Sequence, residues 1–144
     1  MRKINEKGFY LIKYYEGFSD KVYICPAGFR TIGYGHKLLD KENYEYINKH
    51  DAEKLLIKDL EIAESGVRRY VTPEIGENQF SALVSFTYNL GVGTLQRSTL
   101  RQKINYDSCL DEIYNEFVRW IYCNGVKVKG LIYRRRDEAN LYCF

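Results

Sequence analysis

The chain has few of the features that mark membrane, disulfide-rich or metal-binding proteins. No apolar run approaches about 18 residues, the length that a helix needs to cross a bilayer, so we expect no stable insertion into a membrane. The first residues, MRKINEK, have no hydrophobic core of a signal peptide, and we therefore expect neither a leader nor an anchor. The four cysteines form no C-x-x-C pair, which predicts reduced thiols and no metal site.

Repeats, low-complexity tracts and disordered linkers are also absent. A length of 144 residues suffices for one well-packed domain, which can be built in two lobes. The net charge of +3 is mildly basic, which is compatible with an anionic polymer but identifies no partner. Three adjacent arginines, Arg134–Arg136, would point in different directions on a helix. They therefore indicate a solvated face rather than a nucleic-acid site.

Hydrophobic periodicity predicts helices over much of the chain. Asn5 is a good N-cap for a first helix that ends at Glu16-Gly17. A long amphipathic helix of about twenty residues begins at Asp51, and its solvated face is typical of a helix that links two lobes. A helix from about Glu77 is so apolar that we expect deep burial. Further helices are predicted near residues 97–104, 108–120 and 130–142.

The segment from Glu16 to His36 differs from the rest of the chain. It reads EGFSDKVYICPAGFRTIGYGH, in which two short alternating runs flank the turn sequence Pro-Ala-Gly. We interpret it as the end of a helix followed by a β-hairpin that folds back beside the helix end. This arrangement predicts that Glu16, Cys25 and Thr31 lie close together.

Such a cluster is suited to acid catalysis. A carboxyl group at the C-terminus of a helix faces the negative end of the helix dipole, which favours its protonated form. A protonated Glu16 could serve as a general acid, while the hairpin could hold a water molecule on the opposite side of a bond. An acid and a held water on opposite sides of a bond are the arrangement of inverting glycoside hydrolysis.

The spacing of these residues resembles the catalytic motif of the phage-type lysozymes, glycoside hydrolase family 24. That family has a triad of Glu, Asp or sometimes Cys, and Thr, followed by a sequence similar to IGYGH. The resemblance continues through QFSALVSF, YNLGVG and RSTL and reaches the C-terminal arginines, so it covers nearly the whole chain. It implies an α+β, two-lobed lysozyme-like fold in a single domain of 144 residues. The N-terminal lobe with a small sheet would span about residues 1–50, the linking helix about 51–70 and the helical lobe about 71–144, with the substrate cleft between the lobes.

The resemblance also implies an activity. The protein would hydrolyse the β-1,4 bond between N-acetylmuramic acid and N-acetylglucosamine in bacterial peptidoglycan, without a metal or cofactor. Glu16 would protonate the leaving oxygen, and Thr31 and Cys25 would hold the attacking water. Cys25 could instead act as a base or as a small buried residue, and Asp20 is a competing carboxylate in a turn. A non-catalytic wall-binding protein and a lytic transglycosylase are the alternatives.

Other residues of the motif have supporting roles in this interpretation. Tyr88 and Asn89 would contact the saccharide, although Tyr88 could equally be a core residue. Arg134 would lie near the catalytic acid. Gly33 and Gly35 would allow close approach of the backbone to a sugar or a neighbouring helix, and His36 would close the sheet by hydrogen bonding.

A biological setting follows from these expectations. We expect a monomer encoded by a phage or prophage, which acts on the cell wall in the periplasm. The reduced cysteines predict that it is made in the host cytoplasm. Because we expect no export signal, access to the wall would depend on a membrane pore formed by another protein, a holin. Release would lead to lysis of the host cell.

Overall fold

The computed structural model describes all residues from Met1 to Phe144. Seven helices and two small antiparallel sheets form the fold, which confirms the predicted α+β class. The helices are α1 (Glu6–Glu16), α2 (Lys49–Tyr70), α3 (Glu77–Leu90), α4 (Val92–Arg97), α5 (Thr99–Asn105), α6 (Leu110–Phe117) and α7 (Lys129–Cys143). The strands are β1 (Ser19–Ile24), β2 (Arg30–Gly33), β3 (His36–Lys37), β4 (Tyr122–Cys123) and β5 (Val126–Lys127).

The chain divides into two compact units. One unit contains residues Lys13–Glu61, and the other contains Met1–Ile12 together with Ile62–Phe144. Both boundaries fall inside helices, in α1 and in α2. None of the helices is both long enough and apolar enough to cross a membrane.

The unit of residues Lys13–Glu61 is built around the three-stranded sheet β1-β2-β3. In β2 the residues from Thr31 to Gly33 are buried. Ile32 is fully buried, as are Ala52 and Leu56 on α2, so the sheet and the first half of α2 share an apolar core. This core supports the hairpin that carries Cys25 and Thr31.

The second unit is a helical assembly organised by α3. Eight consecutive residues of α3, from Phe80 to Thr87, are buried, which confirms the predicted deep burial of this helix. The predicted N-cap at Asn5 is also confirmed, because the Gly8 N–H donates to Asn5 Oδ1 at 3.1 Å. The edge-to-face pair of Phe86 and Phe117 joins α3 to α6.

The expectation of a solvated arginine face was wrong for two of the three arginines. Arg135 is fully buried and Arg134 is 3% exposed, whereas Arg136 is exposed. Both buried guanidinium groups are paired with the buried carboxylate of Glu138, on the same helix α7. Burial of these charges is therefore compensated by an ion pair that the pattern of the arginines alone does not reveal.

A second hairpin, β4-β5, was not predicted. Its turn places Asn124 and Gly125 at φ 52° and 79°, the left-handed conformations that a two-residue turn requires. The dipeptide Asn-Gly is a strong hairpin signal. The helix α6 ends at Phe117 rather than near residue 120.

Candidate active site

Glu16 is the last residue of α1, as the sequence predicted. The helix ends there because Gly17 adopts a left-handed conformation, with φ 70°, and donates its N–H to the Lys13 carbonyl at 3.0 Å. The Glu16 side chain is half-buried. Glu16 therefore stands at the C-terminal end of α1, to which the carbonyl ends of the peptide dipoles point.

The backbone of Gly35 lies against this carboxyl group. A Cβ atom added at Gly35 would be 2.5 Å from Glu16 Oε1, and the residue has φ 78°. A side chain at this position would therefore displace the carboxyl group and strain the turn. Gly33 has a different partner, because its added Cβ would lie 3.0 Å from the Ala52 Cβ on α2. The two glycines thus allow close approach to Glu16 and to a neighbouring helix.

Cys25 directly follows β1 and begins the hairpin turn. Its N–H donates to the Phe29 carbonyl at 2.9 Å, and its carbonyl accepts from the Gly28 N–H at 2.8 Å. A hydrogen bond from the Phe29 backbone holds the pKa of the Cys25 thiol below its ordinary value, against the opposing effect of desolvation. The Thr31 hydroxyl, the Ala27 backbone and the charge of Lys37 lower this pKa further. The hairpin therefore favours the thiolate of a half-buried cysteine.

Thr31 lies in β2 and is 2% exposed. Its hydroxyl donates to the Phe29 carbonyl at 2.9 Å, and it is also within reach of the Cys25 sulfur. A hydroxyl carries only one proton, so Thr31 can donate to one of these groups at a time. Cys25 and Thr31 are thus brought together as the spacing predicted, while their catalytic roles stay a prediction.

Tyr23 is a residue of this region that the sequence reasoning missed. It pairs directly with Thr31 across the hairpin, and its side chain is 38% exposed. Burial raises the pKa of the Tyr23 phenol, and the negative charges of Glu16 and Cys25 raise it further. The sequence did contain a signal for it: Tyr23 lies two residues before Cys25 in an alternating run, and residues two apart on a strand share a face.

His36 lies in β3 and is 8% exposed. Its Nδ1 is 2.7 Å from Asp59 Oδ2, and its Nε2 is 3.1 Å from Glu42 Oε1. Burial lowers the pKa of His36, but the hydrogen bonds and charges of Asp59 and then Glu42 outweigh that effect and raise it. The imidazole therefore bridges the sheet to α2 and to the loop before it.

The other predicted substrate contacts lie on α3 and α7. Asn89 accepts a hydrogen bond from the Arg135 guanidinium through its Oδ1, and Tyr88 beside it is half-buried. Arg134 Nε is 3.3 Å from Glu138 Oε2, and its Nη2 donates to the Ser85 carbonyl at 3.3 Å. Contact of these three residues with a saccharide stays a prediction.

The competing carboxylate and the possible metal ligands can also be located in the structure. Asp20 is exposed on β1, where its carbonyl accepts the Ile47 N–H at 3.0 Å. The four cysteines are free thiols, and no group of three or more His, Cys, Asp or Glu side chains is arranged to hold a metal ion.

Solved structures place this fold in the lysozyme class. The chain is similar to the muramidase domain of SpmX from Asticaccaulis excentricus, with a TM-score of 0.90 and 30% sequence identity over 100% of this chain and 99% of that one. This likeness extends to both the small sheet and the helical unit, because it covers the whole chain.

The chain belongs to the phage lysozyme family, whose model matches residues 13–138. It is 38% identical over 141 residues to the endolysin of Bacillus phage B103, covering 96% of this chain and 53% of that protein. It is also 34% identical over 143 residues to the endolysin of Acyrthosiphon pisum secondary endosymbiont phage 1, covering 96% and 97% of the two chains. The chain thus spans about half the length of the Bacillus phage relatives and nearly all of the other. The family resemblance seen in the sequence is confirmed.

Proposed function

We propose that the protein is an endolysin with muramidase activity, a glycoside hydrolase that cleaves the β-1,4 bond between N-acetylmuramic acid and N-acetylglucosamine in peptidoglycan. The observation that carries the proposal is the half-buried Glu16 at the end of α1, with its carboxyl group against Gly35. The charges of Glu16 and Cys25 both act on Tyr23, whose pKa they raise. The endolysin relatives and the muramidase-domain neighbour support it.

The proposed reaction uses Glu16 as the general acid. Its proton passes to the glycosidic oxygen as the bond from that oxygen to the sugar carbon breaks. A water molecule attacks the same carbon from the opposite face and forms the new carbon–oxygen bond, which inverts the configuration. The proton lost by the water passes to the Cys25 sulfur.

The surroundings of Cys25 suit this second role. An ordinary thiol, with a pKa of about 8.5, is mostly neutral near pH 7 and is a weak base partner for water. The hydrogen bonds that lower the pKa of Cys25 increase the thiolate fraction, which can accept a proton. Whichever of the Phe29 carbonyl and the Cys25 sulfur takes the single Thr31 proton, the Thr31 oxygen keeps lone pairs that can accept a hydrogen bond from the water.

Substrate contacts and biological setting extend the proposal. Tyr88, Asn89 and Arg134 would bind the saccharide, with Asn89 oriented by its hydrogen bond from Arg135. The enzyme would act as a monomer, be made in the host cytoplasm and reach the wall through a pore formed by a holin.

The test is clearing of purified peptidoglycan, followed by turbidity. We expect Glu16→Gln to reduce clearing by at least about 100-fold, the contribution of a general acid, while the circular dichroism spectrum and melting temperature stay unchanged. Asp20→Asn is the matched control, because it neutralises the exposed carboxylate nearby in the sequence and should leave clearing intact. Full activity of Glu16→Gln would refute the mechanism.

The same assay separates the alternatives. A non-catalytic wall-binding protein would sediment with the wall without clearing it. A lytic transglycosylase would clear the wall but leave products with anhydro-sugar ends, which mass spectrometry distinguishes from the hydrated products of a hydrolase.

A further inference from the structure

Tyr23 shares a face of the hairpin with Cys25 and Thr31. Tyr23 and Thr31 are directly opposite each other in the ladder between β1 and β2, so their side chains leave the sheet on the same side. Cys25 lies two residues after Tyr23 and extends this ladder, because its N–H donates a hydrogen bond to the Phe29 carbonyl. Side chains two residues apart on an extended strand point to the same face.

The strand is irregular just before this tyrosine. The pairing of β1 with β2 changes register between Ser19 and Tyr23, whereas the pairs at Tyr23 and Ile24 are regular. A bulge changes the direction of the side chains that follow it and is frequent next to active sites. A regular ladder from the pair Ser19–Gly33 would place Lys21 opposite Thr31, so the irregularity brings Tyr23 to that position instead.

The phenol also lies within electrostatic reach of both reacting groups. After burial, the charges of Glu16 and Cys25 are the influences that raise the pKa of Tyr23. A phenol with an ordinary pKa of about 10 already keeps its proton in the neutral range, so the hydroxyl can donate a hydrogen bond.

We propose that Tyr23 is a positioning residue of the Glu16 site, whose hydroxyl donates a hydrogen bond to the attacking water and holds it against Cys25 and Thr31. This role rests on the proposed hydrolysis. The water would donate one proton to the Cys25 thiolate and the other to the Thr31 oxygen. The hydrogen bond from Tyr23 would fill one lone pair of the water and leave the second directed at the sugar carbon.

The first test is kinetic and uses Tyr23→Phe, which removes only the hydroxyl. We expect kcat to fall roughly tenfold, the effect of one hydrogen bond to the reacting water, while KM is unchanged. Tyr46→Phe is the matched control, because Tyr46 is 65% exposed in the same unit and should keep the wild-type kcat. A Tyr23→Phe variant with wild-type kcat, or with a changed KM and unchanged kcat, would overturn the proposal.

The second test is independent of activity. Tyrosines labelled with carbon-13 at the phenol carbon are titrated by NMR, and the Tyr23 signal is identified by its loss in Tyr23→Phe. We expect Tyr23 to titrate at lower pH in Glu16→Gln than in the wild type, because a negative neighbour is removed, and to be unchanged in Asp20→Asn.

The outcomes distinguish the two proposals. If the pKa of Tyr23 is the same in Glu16→Gln as in the wild type, the phenol lies away from the acid. That result overturns the role of Tyr23, whether or not the protein clears walls. A wild-type protein that clears no wall while the titration shift is present overturns the proposed function and the water-holding role with it.

Discussion

At the scale of single residues, the site depends on how closely the chain approaches the Glu16 carboxyl. The backbone of Gly35 occupies the space in which any side chain would meet a carboxyl oxygen. The acid is therefore held both by the end of α1 and by a glycine nineteen residues further along the chain.

Replacing Gly35 by alanine should reduce wall clearing strongly. The added Cβ would meet Glu16 Oε1 at 2.5 Å, so the carboxyl must move, and a displacement of about 1 Å in a catalytic group can cost about 100-fold in rate. Gly125→Ala is the control, because Gly125 has φ 79° against 78° for Gly35 but open space around its added Cβ. Both variants carry the same backbone strain, of about 1–2 kcal/mol. Equal losses of clearing would show that strain, rather than the collision, is responsible.

Cys25 should react with iodoacetamide faster than Cys143 at pH 7. Both thiols are half-buried, but hydrogen bonds lower the pKa of Cys25, whereas burial and then Asp111 raise the pKa of Cys143. The thiolate is the reactive form, so the more acidic thiol is alkylated first. Mass spectrometry of peptides after short exposure measures the two rates. Faster labelling of Cys143 would contradict the prediction, and loss of clearing should follow labelling of Cys25.

At the scale of elements, His36 links the short strand β3 to α2. Its ring contacts Asp59 on α2 and Glu42 in the preceding loop, so one side chain connects three segments of the unit. A histidine whose folded pKa is raised stabilises the fold fully below its unfolded value of about 6.5. That contribution disappears as the pH rises through the folded pKa.

His36→Asn should therefore destabilise the protein more at pH 6 than at pH 9. At pH 6 the wild-type imidazolium interacts with the carboxylates of Asp59 and Glu42, and at pH 9 the neutral ring has lost that attraction. Urea denaturation at the two pH values measures the difference in free energy of unfolding. His50→Asn, which removes an exposed histidine, is the control and should have little effect at either pH. A His36→Asn penalty that grows with pH would contradict this account.

At the scale of the whole molecule, buried charge on α7 organises the helical unit. Arg135 donates from Nε to the Trp120 carbonyl at 3.0 Å, and its guanidinium also contacts Asn89 and Glu138. The Ser85 hydroxyl donates to Glu138 Oε2 at 2.5 Å. One carboxylate therefore compensates two buried guanidinium groups and joins α7 to α3.

Glu138→Gln should destabilise the fold by roughly 3–5 kcal/mol, because it removes the carboxylate that pairs with two buried guanidinium groups. The exposed pair of Lys103 and Glu112, 3.4 Å apart, provides the control, and Glu112→Gln should cost only about 0–1 kcal/mol. Thermal unfolding of both variants measures the effects. Similar melting temperatures for the two variants would show that the buried network contributes little.

The sequence by itself determined the features that depend on near neighbours along the chain. The end of α1 at Glu16-Gly17, the hairpin turn after Cys25 and the burial of α3 all follow from local conformational preference and from periodicity. The meeting of Cys25 with Thr31 was also predictable, because a hairpin brings together residues only six positions apart.

Only the tertiary structure decided the burial of Arg134 and Arg135, the partners of His36 and the influence of the Glu16 charge on the pKa of Tyr23. The partners of Arg135 include Trp120 and Asn89, 15 and 46 residues away, and Asp59 is 23 residues from His36. A charged side chain is buried or exposed according to whether distant groups can compensate its charge, and a local pattern carries no information about those groups.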